Sequence, residues 1–476
     1  MADEKNFKEV YKGLNKAQKE AVDAIEGPVM VIAGPGTGKT QILAMRIANI
    51  LRQTDTAPEQ ILALTFTENA TGNMRERLAF LMGSRAYQVV INTFHGFCNN
   101  IIKTYPEEFP RIIGSTSITE IDQIALLEKV VATLPVKILR PYGDPDYYIR
   151  SMVAVISDLK REGISVEEYK NICAKADSDY WQIPDLYHDK GLYKGKIKKG
   201  YERLRREIDK NLELALVYEQ YENSLNEKKL YDFNDMIMEV LRELRTNPTL
   251  LSMLQEEYQY ILVDEHQDTN NAQNKILELI ANFHPNPNLF VVGDEKQAIF
   301  RFQGASLENF FYFSHLYPQA KVVTLTNNYR SGQNILNQAE ILLPSKAKLL
   351  AQIENDNLPI RVGGFGSTLA EYFFLGQDIN QKIATGVMPH DIAVLYRDNR
   401  DAIFLSSVLR KLGVPLAVES DDDLWTDLDI QKLITVFEAV AFFGDDSKLA
   451  KLLHIDFIGV APIDTYQYLR QAHEEK

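Results

Sequence analysis

One short segment near the N-terminus restricts the possible folds of this chain more than any other feature. Residues 33–40 contain three glycines followed by Lys39 and Thr40, and they lie between an apolar run, residues 29–32, and a stretch with helical periodicity, residues 41–51. A strand, a glycine-rich turn and a helix in this order surround a phosphate chain with backbone N–H groups at the positive end of the helix. The sequence therefore predicts a nucleoside triphosphate site on an α/β fold.

Each residue type in this loop suits a different part of a nucleotide. The Lys39 charge suits the β- and γ-phosphates, and the Thr40 hydroxyl would ligate Mg²⁺. The predicted nucleotide-binding residues of the loop are Ala33, Gly34, Gly36, Thr37, Gly38, Lys39, Thr40 and Gln41. Ala33 replaces the first glycine of the strict motif, which requires only a small side chain. Upstream, the Gln18 amide could pair with an adenine edge, although alone it is better explained as a surface glutamine on a helix.

Two later strands end in polar residues that fit the same site. One strand ends at Asp264 and Glu265, and we assign Asp264 to Mg²⁺ and Glu265 to the general base that activates water. The alternative for this acidic pair is to cap a helix predicted over residues 271–280. After another strand, residues 289–292, Gln297 is placed to sense a γ-phosphate.

Short apolar or β-branched runs predict a doubly wound parallel sheet, which binds ligands at the carboxyl ends of its strands. A first set comprises residues 29–32, 61–64, 89–91, 260–263 and 289–292, and a second set comprises residues 321–325, 360–363 and 392–395. Between Phe97 and Asp232 the chain is polar and helical by periodicity. This stretch predicts a helical domain inserted into the first sheet, and the second set predicts a second α/β domain.

Composition excludes several classes of protein. The 476 residues are 45% apolar and 25% charged, as in ordinary globular proteins, and no apolar run is long enough to span a membrane. The N-terminus is charged and has no apolar core after it, so it does not resemble a signal peptide. Cys98 and Cys173 lack metal-ligand spacing, and so few cysteines favour a reducing cytoplasm.

Charge argues against a nucleic-acid partner without excluding one. The net charge is −14, but a local basic groove can bind phosphates on an acidic protein. One basic cluster, with Tyr193 and Tyr201 interleaved, comprises Lys190, Lys194, Lys196, Lys198, Lys199, Arg203, Arg205 and Arg206. A solvated helix face is the favoured interpretation of such a run. Phe300 and Phe302 follow Gln297 and could either stack on bases or belong to the core.

The order of these motifs resembles that of the superfamily 1 helicases of the UvrD/Rep/PcrA group. The resemblance extends over most of the chain: residues 14–18 resemble the Q motif, 33–40 motif I, 65–70 motif Ia, 93–97 motif Ib, 264–270 motif II, 293–305 motif III, 328–331 motif IV and 392–397 motif IVa, and residues 232–235 match the return from the inserted domain.

This resemblance implies ATP-driven movement along single-stranded DNA and at duplex junctions, usually 3′ to 5′, with ATP and Mg²⁺ required. It implies that Tyr329 stacks on the adenine and that Arg330 contacts the γ-phosphate. With Arg330, the expected catalytic residues are Lys39, Asp264, Glu265 and Gln297. The DNA-binding residues that it implies are Thr65, Phe66, Thr93, His95, Phe300, Phe302, Tyr396 and Arg397.

The implied architecture consists of two RecA-like domains, each with a helical insertion. Residues 1–103 and 231–318 would form the first RecA-like domain, 104–230 its insertion, 319–416 an incomplete second RecA-like domain, and 417–476 the start of a second insertion. No match to motifs V and VI follows Arg397. We therefore expect the chain to be an N-terminal portion that binds nucleotide but hydrolyses it weakly by itself.

Other departures concern single side chains. Glu68 and Asn69 stand where the family commonly has Asn-Lys, which removes a positive charge from motif Ia. Gln303 replaces a motif III arginine, and Gln41 stands where the family often has arginine.

Two other functions remain open on sequence alone. The chain could be the motor part of a RecB- or AddA-like helicase-nuclease, or a non-enzymatic module that binds DNA in a nucleotide-dependent way. The intact Lys39, Thr40, Asp264, Glu265 and Gln297 argue against the non-enzymatic module.

Overall fold

The computed structural model describes residues 2–190, 193–297, 307–344, 347–353, 359–418, 428–444, 446–461 and 463–467. Phe300, Phe302 and Gln303 lie outside the described residues. The role predicted for the two phenylalanines therefore remains a prediction.

The strands follow the apolar runs of the first set closely. They are β1 (Val29–Ala33), β2 (Ile61–Thr65), β3 (Val90–Thr93), β4 (Thr116–Ser117), β5 (Leu230–Tyr231), β6 (Tyr260–Val263), β7 (Leu289–Gly293), β8 (Lys321–Leu325), β9 (Asn327–Asn328) and β10 (Leu350–Ala351).

Helices make up most of the remaining chain. They are α1 (Ala2–Gly13), α2 (Lys16–Asp23), α3 (Lys39–Gln53), α4 (Glu68–Met82), α5 (Phe94–Thr104), α6 (Glu120–Thr133), α7 (Ile149–Arg161), α8 (Val166–Trp181), α9 (Lys199–Glu227), α10 (Asp235–Thr246), α11 (Pro248–Glu257), α12 (Asn271–Ala281), α13 (Leu307–Leu316), α14 (Gln333–Leu342), α15 (Thr368–Ala384), α16 (Asn399–Lys411), α17 (Leu428–Ala441) and α18 (Asp446–Leu453). Within the described parts of the chain, no helix is both long and apolar enough to cross a membrane.

A parallel sheet of six strands, in the order β3-β2-β6-β7-β1-β8, forms the centre of the first unit. Its strands are apolar at successive positions because both faces are covered: Ile61 and Ala63 join the core beneath α3 and α4, whereas Leu62 and Leu64 join the core beneath α5, α10 and α12. The expected α/β fold with a parallel sheet and a helical insertion is confirmed. All strands run in one direction, so the loops after β1, β2, β3, β6 and β7 meet at one edge.

The strand Lys321–Leu325 differs from expectation. We expected it to begin a second sheet, but it pairs in parallel with β1 along its length, and Val323 and Leu325 are buried in the first core. Apolar alternation predicts that a strand forms but not which sheet receives it. The chain divides into two compact units after Pro359; the other boundaries remain predictions.

In the second unit, residues 360–363 and 392–395 were expected to be strands, and this was wrong: neither stretch is part of a ladder among the described residues. The expected alternation is nevertheless present. Ile392, Val394 and Tyr396 pack on the core of α15 and α16, while Leu395 is 93% exposed. The alternating pattern reports one covered face, and a strand also requires a hydrogen-bonded neighbour.

The helical insertion has its own core, built from α6 to α9. The chain leaves and returns through a short parallel ladder of β4 with β5. Beside that ladder lies a buried charge network, comprising Arg111, Lys160, Glu222, Asp232, Asp235 and Glu239.

Lys160 is the centre of this network. Its ammonium lies 2.5 Å from Asp232, 2.7 Å from Asp235 and 2.6 Å from Glu222, and its side chain is 1% exposed. Burial lowers the pKa of Lys160, but the three carboxylates outweigh this effect and hold that pKa well above its usual value. The network joins α7 of the insertion to α10 of the first α/β domain.

Lys160→Met should lower the free energy of unfolding by about 3–5 kcal/mol, because it leaves buried carboxylates without their cation. Chemical denaturation followed by circular dichroism would measure this change. Lys8→Met is the matched control: Lys8 pairs with Glu4 on an exposed helix face and should change stability by less than about 0.5 kcal/mol. Equal effects of the two substitutions would contradict a structural role for the network.

Candidate nucleotide and DNA site

The glycine-rich loop joins β1 to α3, and its backbone requires glycine at two positions. Gly36 and Gly38 have φ angles of 69° and 91°, a region that side chains rarely tolerate. Thr37 is buried, and its hydroxyl donates to the Gly34 carbonyl at 2.7 Å, which closes the turn. The loop therefore has the shape and the helix N-terminus that a triphosphate requires.

Gly36 is also fixed by a neighbouring segment. A Cβ at this position would lie 2.6 Å from the Arg330 Cβ and 2.8 Å from the Asn328 amide nitrogen. Asn328 donates to the Pro35 carbonyl at 2.5 Å, and the Tyr329 N–H donates to the Gly36 carbonyl at 2.8 Å. The segment that resembles motif IV is thus attached directly to the glycine-rich loop.

The lysine of the loop meets the acidic pair. Lys39 Nζ lies 2.6 Å from Glu265 Oε2. The two residues are far apart in sequence: Lys39 begins α3, directly after the loop that follows β1, and Glu265 lies in the loop that follows β6. The neighbouring Asp264 is 4% exposed. Helix α12 is capped by Asn270, which accepts from the Gln273 N–H, so the acidic pair does not cap that helix. The alternative considered for Asp264 and Glu265 is excluded.

Burial sets the protonation of this acidic cluster. Burial, followed by the nearby Glu265 charge, raises the pKa of Asp264 to about 7 and the pKa of Asp268 to about 6. Arg77 lies close enough to oppose the shift at Asp264 and donates to Gln41 at 3.1 Å. A buried carboxylate with few compensating partners is the donor type that a hard cation binds, so Asp264 fits Mg²⁺.

A chain of hydrogen bonds connects the predicted general base, Glu265, to the predicted γ-phosphate sensor, Gln297. The Gln267 amide donates to Glu265 at 2.8 Å, and its oxygen accepts from the Asp294 N–H at 2.9 Å. Gln297 in turn donates to the Asp294 carboxylate at 2.7 Å. The structure therefore brings Lys39, Glu265 and Gln297 into one network. The connecting residues, Gln267 and Asp294, were not predicted from the sequence.

Glu265 has a backbone conformation that few residues adopt. Its φ is 48°, one of two positive values among the described non-glycine residues, the other being Lys229. Such backbone conformations occur preferentially at functional sites, where surrounding contacts maintain them. Lys39 and Gln267 supply two of those contacts.

The residues assigned to adenine lie at one corner of the loop. Gln18 is 4% exposed and donates to the Thr37 carbonyl at 3.0 Å, so it is not the surface glutamine first considered. Its oxygen accepts from the Asn15 N–H, and the Asn15 amide donates to the Tyr329 hydroxyl at 3.0 Å. Tyr329 is 43% exposed, which leaves part of its ring accessible.

The residues assigned to DNA lie at the carboxyl ends of β2 and β3, at the same edge of the sheet. Thr65 is buried and its hydroxyl bonds within the loop, while Phe66 is half-buried. Thr93 caps α5 and donates to the Glu68 carboxylate at 3.0 Å. The Glu68 carboxylate, which precedes the position where motif Ia commonly has a lysine, therefore lies beside an expected DNA contact.

His95 stacks on the ring of Phe233, a residue for which no role was predicted from the sequence. The His95 and Phe233 ring centroids are 3.7 Å apart with planes at 21°, and Phe233 is 58% exposed. Burial, with a smaller contribution from Arg161, lowers the pKa of His95 to about 4, so the ring is neutral at pH 7. The His95–Phe233 pair offers an aromatic face rather than a positive charge.

Phe233 could have been found from sequence, because an aromatic residue between Asp232 and Asn234 lies in a polar turn. In the structure, the Asp232 carboxylate accepts from the N–H groups of Asn234 and Asp235, and this turn leaves Phe233 exposed. Tyr396 and Arg397 are half-buried and exposed in the second unit, and their predicted DNA contacts remain predictions.

Comparison with known proteins is consistent with these motifs. Residues 14–318 match the family model of the UvrD/REP helicase N-terminal domain, and residues 323–473 match that of the UvrD-like helicase C-terminal domain. The chain is 29% identical over 457 residues to a protein named ATP-dependent DNA helicase PcrA from Staphylococcus epidermidis, covering 95% of this chain and 57% of that relative. A protein of the same name from Staphylococcus aureus is 29% identical over 453 residues, covering 94% and 56%. The chain thus spans little more than half the length of these relatives.

Asp264→Asn should stabilise the protein at about pH 8 and have much less effect at about pH 4, without added Mg²⁺ or nucleotide. The pKa of Asp264 is about 7 when folded and 3.8 ordinarily, so the folded chain binds this proton more tightly. The protonated Asp264 carboxyl therefore makes its full contribution to the free energy of unfolding below about pH 4, and this contribution is lost as the pH rises towards 7. We expect a gain of roughly 2–4 kcal/mol at about pH 8, measured by urea denaturation.

The exposed Asp55→Asn is the control and should change stability by less than about 0.5 kcal/mol at either pH. A stabilisation by Asp264→Asn of the same size at both pH values would contradict the assigned pKa.

Proposed function

The chain belongs to the UvrD/REP helicase family, and we propose that the whole protein is an ATP-dependent DNA helicase that moves 3′ to 5′ along single-stranded DNA and at duplex junctions. The observation that carries this proposal is the 2.6 Å contact of Lys39 with Glu265 beside the buried Asp264. A phosphate-binding lysine, a general base and a metal-binding carboxylate are the groups that nucleotide hydrolysis requires.

The residues divide the chemistry among them. Lys39 and the loop N–H groups would bind the β- and γ-phosphates, and Thr40 and Asp264 would hold Mg²⁺, which neutralises phosphate charge when bound. Glu265 would accept a proton from the attacking water. Gln267 orients that carboxylate and is connected through Asp294 to Gln297, which would contact the γ-phosphate.

We propose that the adenine stacks on Tyr329 and contacts Gln18, and that Arg330 reaches the γ-phosphate. The hydrogen bonds of Asn328 and Tyr329 to the glycine-rich loop support this assignment, because they hold the segment against that loop. Residues 1–476 alone should bind nucleotide and hydrolyse it slowly, because no motif VI arginine was found among them.

The proposed DNA residues share the carboxyl edge of the sheet with the nucleotide residues. Phe66 follows β2 and Thr93 is the last residue of β3, and the stacked His95 and Phe233 rings lie on the adjoining elements. A sequence-independent track requires such ring faces, since every base can stack. A change in the β6 loop on hydrolysis would act on the adjacent β2 loop through the shared sheet.

In the full-length protein, Lys39→Ala and Glu265→Gln should each reduce ATP turnover by a factor of roughly 10²–10⁴. Lys39→Ala should also weaken ATP binding, whereas Glu265→Gln should retain ATP, because the amide cannot accept the water proton. A phosphate-release assay with and without single-stranded DNA, together with nucleotide binding by calorimetry, would measure both effects.

Glu59→Gln, at an exposed turn before β2, is the control for the charge change and should leave turnover unaltered. Turnover that does not respond to single-stranded DNA in the full-length protein would count against a DNA motor, even if Lys39 proved essential for hydrolysis.

Phe233→Ala should weaken single-stranded DNA binding about five- to hundredfold, the cost of one lost base–aromatic stack. Phe283→Ala is a matched control, because Phe283 is 48% exposed but follows α12 on the opposite edge of the sheet. Fluorescence anisotropy with a labelled oligonucleotide would compare the two variants. Equal affinities would remove the His95–Phe233 pair from the DNA track.

A further inference from the structure

A basic hairpin projects from the helical insertion. We give this name to the described residues 186–190 and 193–198, in which Tyr187 pairs with Ile197 and the His188 N–H donates to the Lys196 carbonyl at 3.0 Å. At its base, Leu186 is fully buried against Tyr180. The hairpin is therefore an anchored element whose backbone is held by its own hydrogen bonds.

The charge of this region is opposite to that of the rest of the chain. Residues 185–206 contain eight lysines and arginines and three acidic residues, a net charge of +5 in a protein of net charge −14. Three of these cations have acidic partners: Lys198 with Asp185, Arg203 with Glu207, and Arg205 with Asp177 and Asp209.

The remaining cations of this region form no ion pair within the described residues. Across the part of the chain that the structure describes, Lys190, Lys194, Lys196, Lys199 and Arg206 have no acidic partner in an ion pair, and all five are exposed. This distinguishes them from the paired cations beside them, which stabilise the insertion locally.

Helix α9 begins directly after the hairpin and adds to the positive potential. Lys198 caps this helix without a side-chain hydrogen bond, and Lys199 is its first residue. Cations at a helix N-terminus are repelled by the helix dipole, so they do not serve the helix itself. The same dipole and the same lysines together attract an anion.

Exposed aromatic rings accompany these charges. Tyr193 is 61% exposed and lies against Lys196, whose ammonium is 5.8 Å from the ring centroid, and Tyr187 is 43% exposed. Lysines that contact phosphates, combined with rings that can contact sugars or bases, are characteristic of nucleic-acid surfaces. An acidic protein segment would satisfy the charges but would not require the rings.

We propose that the basic hairpin and the first turn of α9 form a second nucleic-acid binding site, which contacts the phosphate backbone of DNA outside the track around Phe66 and His95. This site goes beyond the proposed motor, because none of its residues belongs to the nucleotide site or to that track. It replaces the solvated face first favoured for this charge run.

The test is a triple substitution to glutamine at Lys194, Lys196 and Lys199, compared with a triple substitution to glutamine at Lys129, Lys137 and Lys175. The control lysines are exposed on the same insertion and give the same change of charge. Binding of a single-stranded oligonucleotide, a blunt duplex and a junction of the two would be measured by anisotropy at several salt concentrations.

At low salt, the hairpin variant should bind at least one of these DNAs with an affinity reduced by a factor of about ten or more. The magnitude of its slope of log affinity against log salt concentration should decrease by about 2–3. The DNA whose binding is weakened most shows whether the hairpin contacts single-stranded DNA, duplex DNA or the junction between them. ATP turnover without DNA should equal that of the parent protein, because these lysines lie outside the catalytic residues.

Unchanged DNA binding by the hairpin variant, or an equal loss in the control variant, would overturn the second site while leaving the motor intact. Displacement of DNA by polyglutamate, at concentrations of charge no higher than those of competing DNA, would instead indicate an acidic protein partner. If DNA binding depends on the hairpin lysines but DNA does not stimulate ATP turnover, the proposed motor is contradicted and the second site is retained.

Discussion

The contact between the Lys39 ammonium and the Glu265 carboxylate depends on a property of parallel sheets. β1 and β6 are not neighbours, yet their loops open at one edge because every strand of the sheet runs in the same direction. Burial of both faces fixes the strand positions, and therefore fixes the distance between groups separated by more than two hundred residues of sequence. Asp264, Gln267 and Gln297 gain their partners from the same arrangement.

The strands of the first sheet and the nucleotide loop could be predicted because each depends on local sequence. Residues 260–263 are a continuous apolar run that forms β6, and the glycines of the loop occupy the conformations their residue type suggested. Lys321–Leu325 was predicted to join a second sheet but pairs with β1 of the first. Its local sequence does not indicate which of the two sheets it joins, because strand pairing is a long-range interaction. The strands expected at residues 360–363 and 392–395 were wrong for a related reason: alternation reports burial, whereas a ladder requires a partner.

Within the site, residues that carry the chemistry were easier to predict than residues that position them. Glu265 follows a strand in a recognisable motif, whereas the contribution of Gln267 depends on its reaching Asp294 of another loop. The polar turn indicates that Phe233 is exposed, but its stacking on the His95 ring depends on the tertiary fold. The buried charges around Lys160 are a similar case: their sequence spacing is unremarkable, and they become a network only when α7 and α10 pack together.

The short ladder of β4 with β5 has a consequence for how this architecture could change over time. Thr116 and Ile118 donate to the carbonyls of Lys229 and Tyr231, so the outgoing and incoming chains lie side by side. Because its two ends are adjacent, the helical insertion between β4 and β5 is connected to the first α/β domain in the same way as a surface loop. Such positions accept inserted segments readily. Related proteins could therefore replace, enlarge or lose this insertion without a change in the strand order of the sheet. The condition is that the buried charges around Lys160 remain paired.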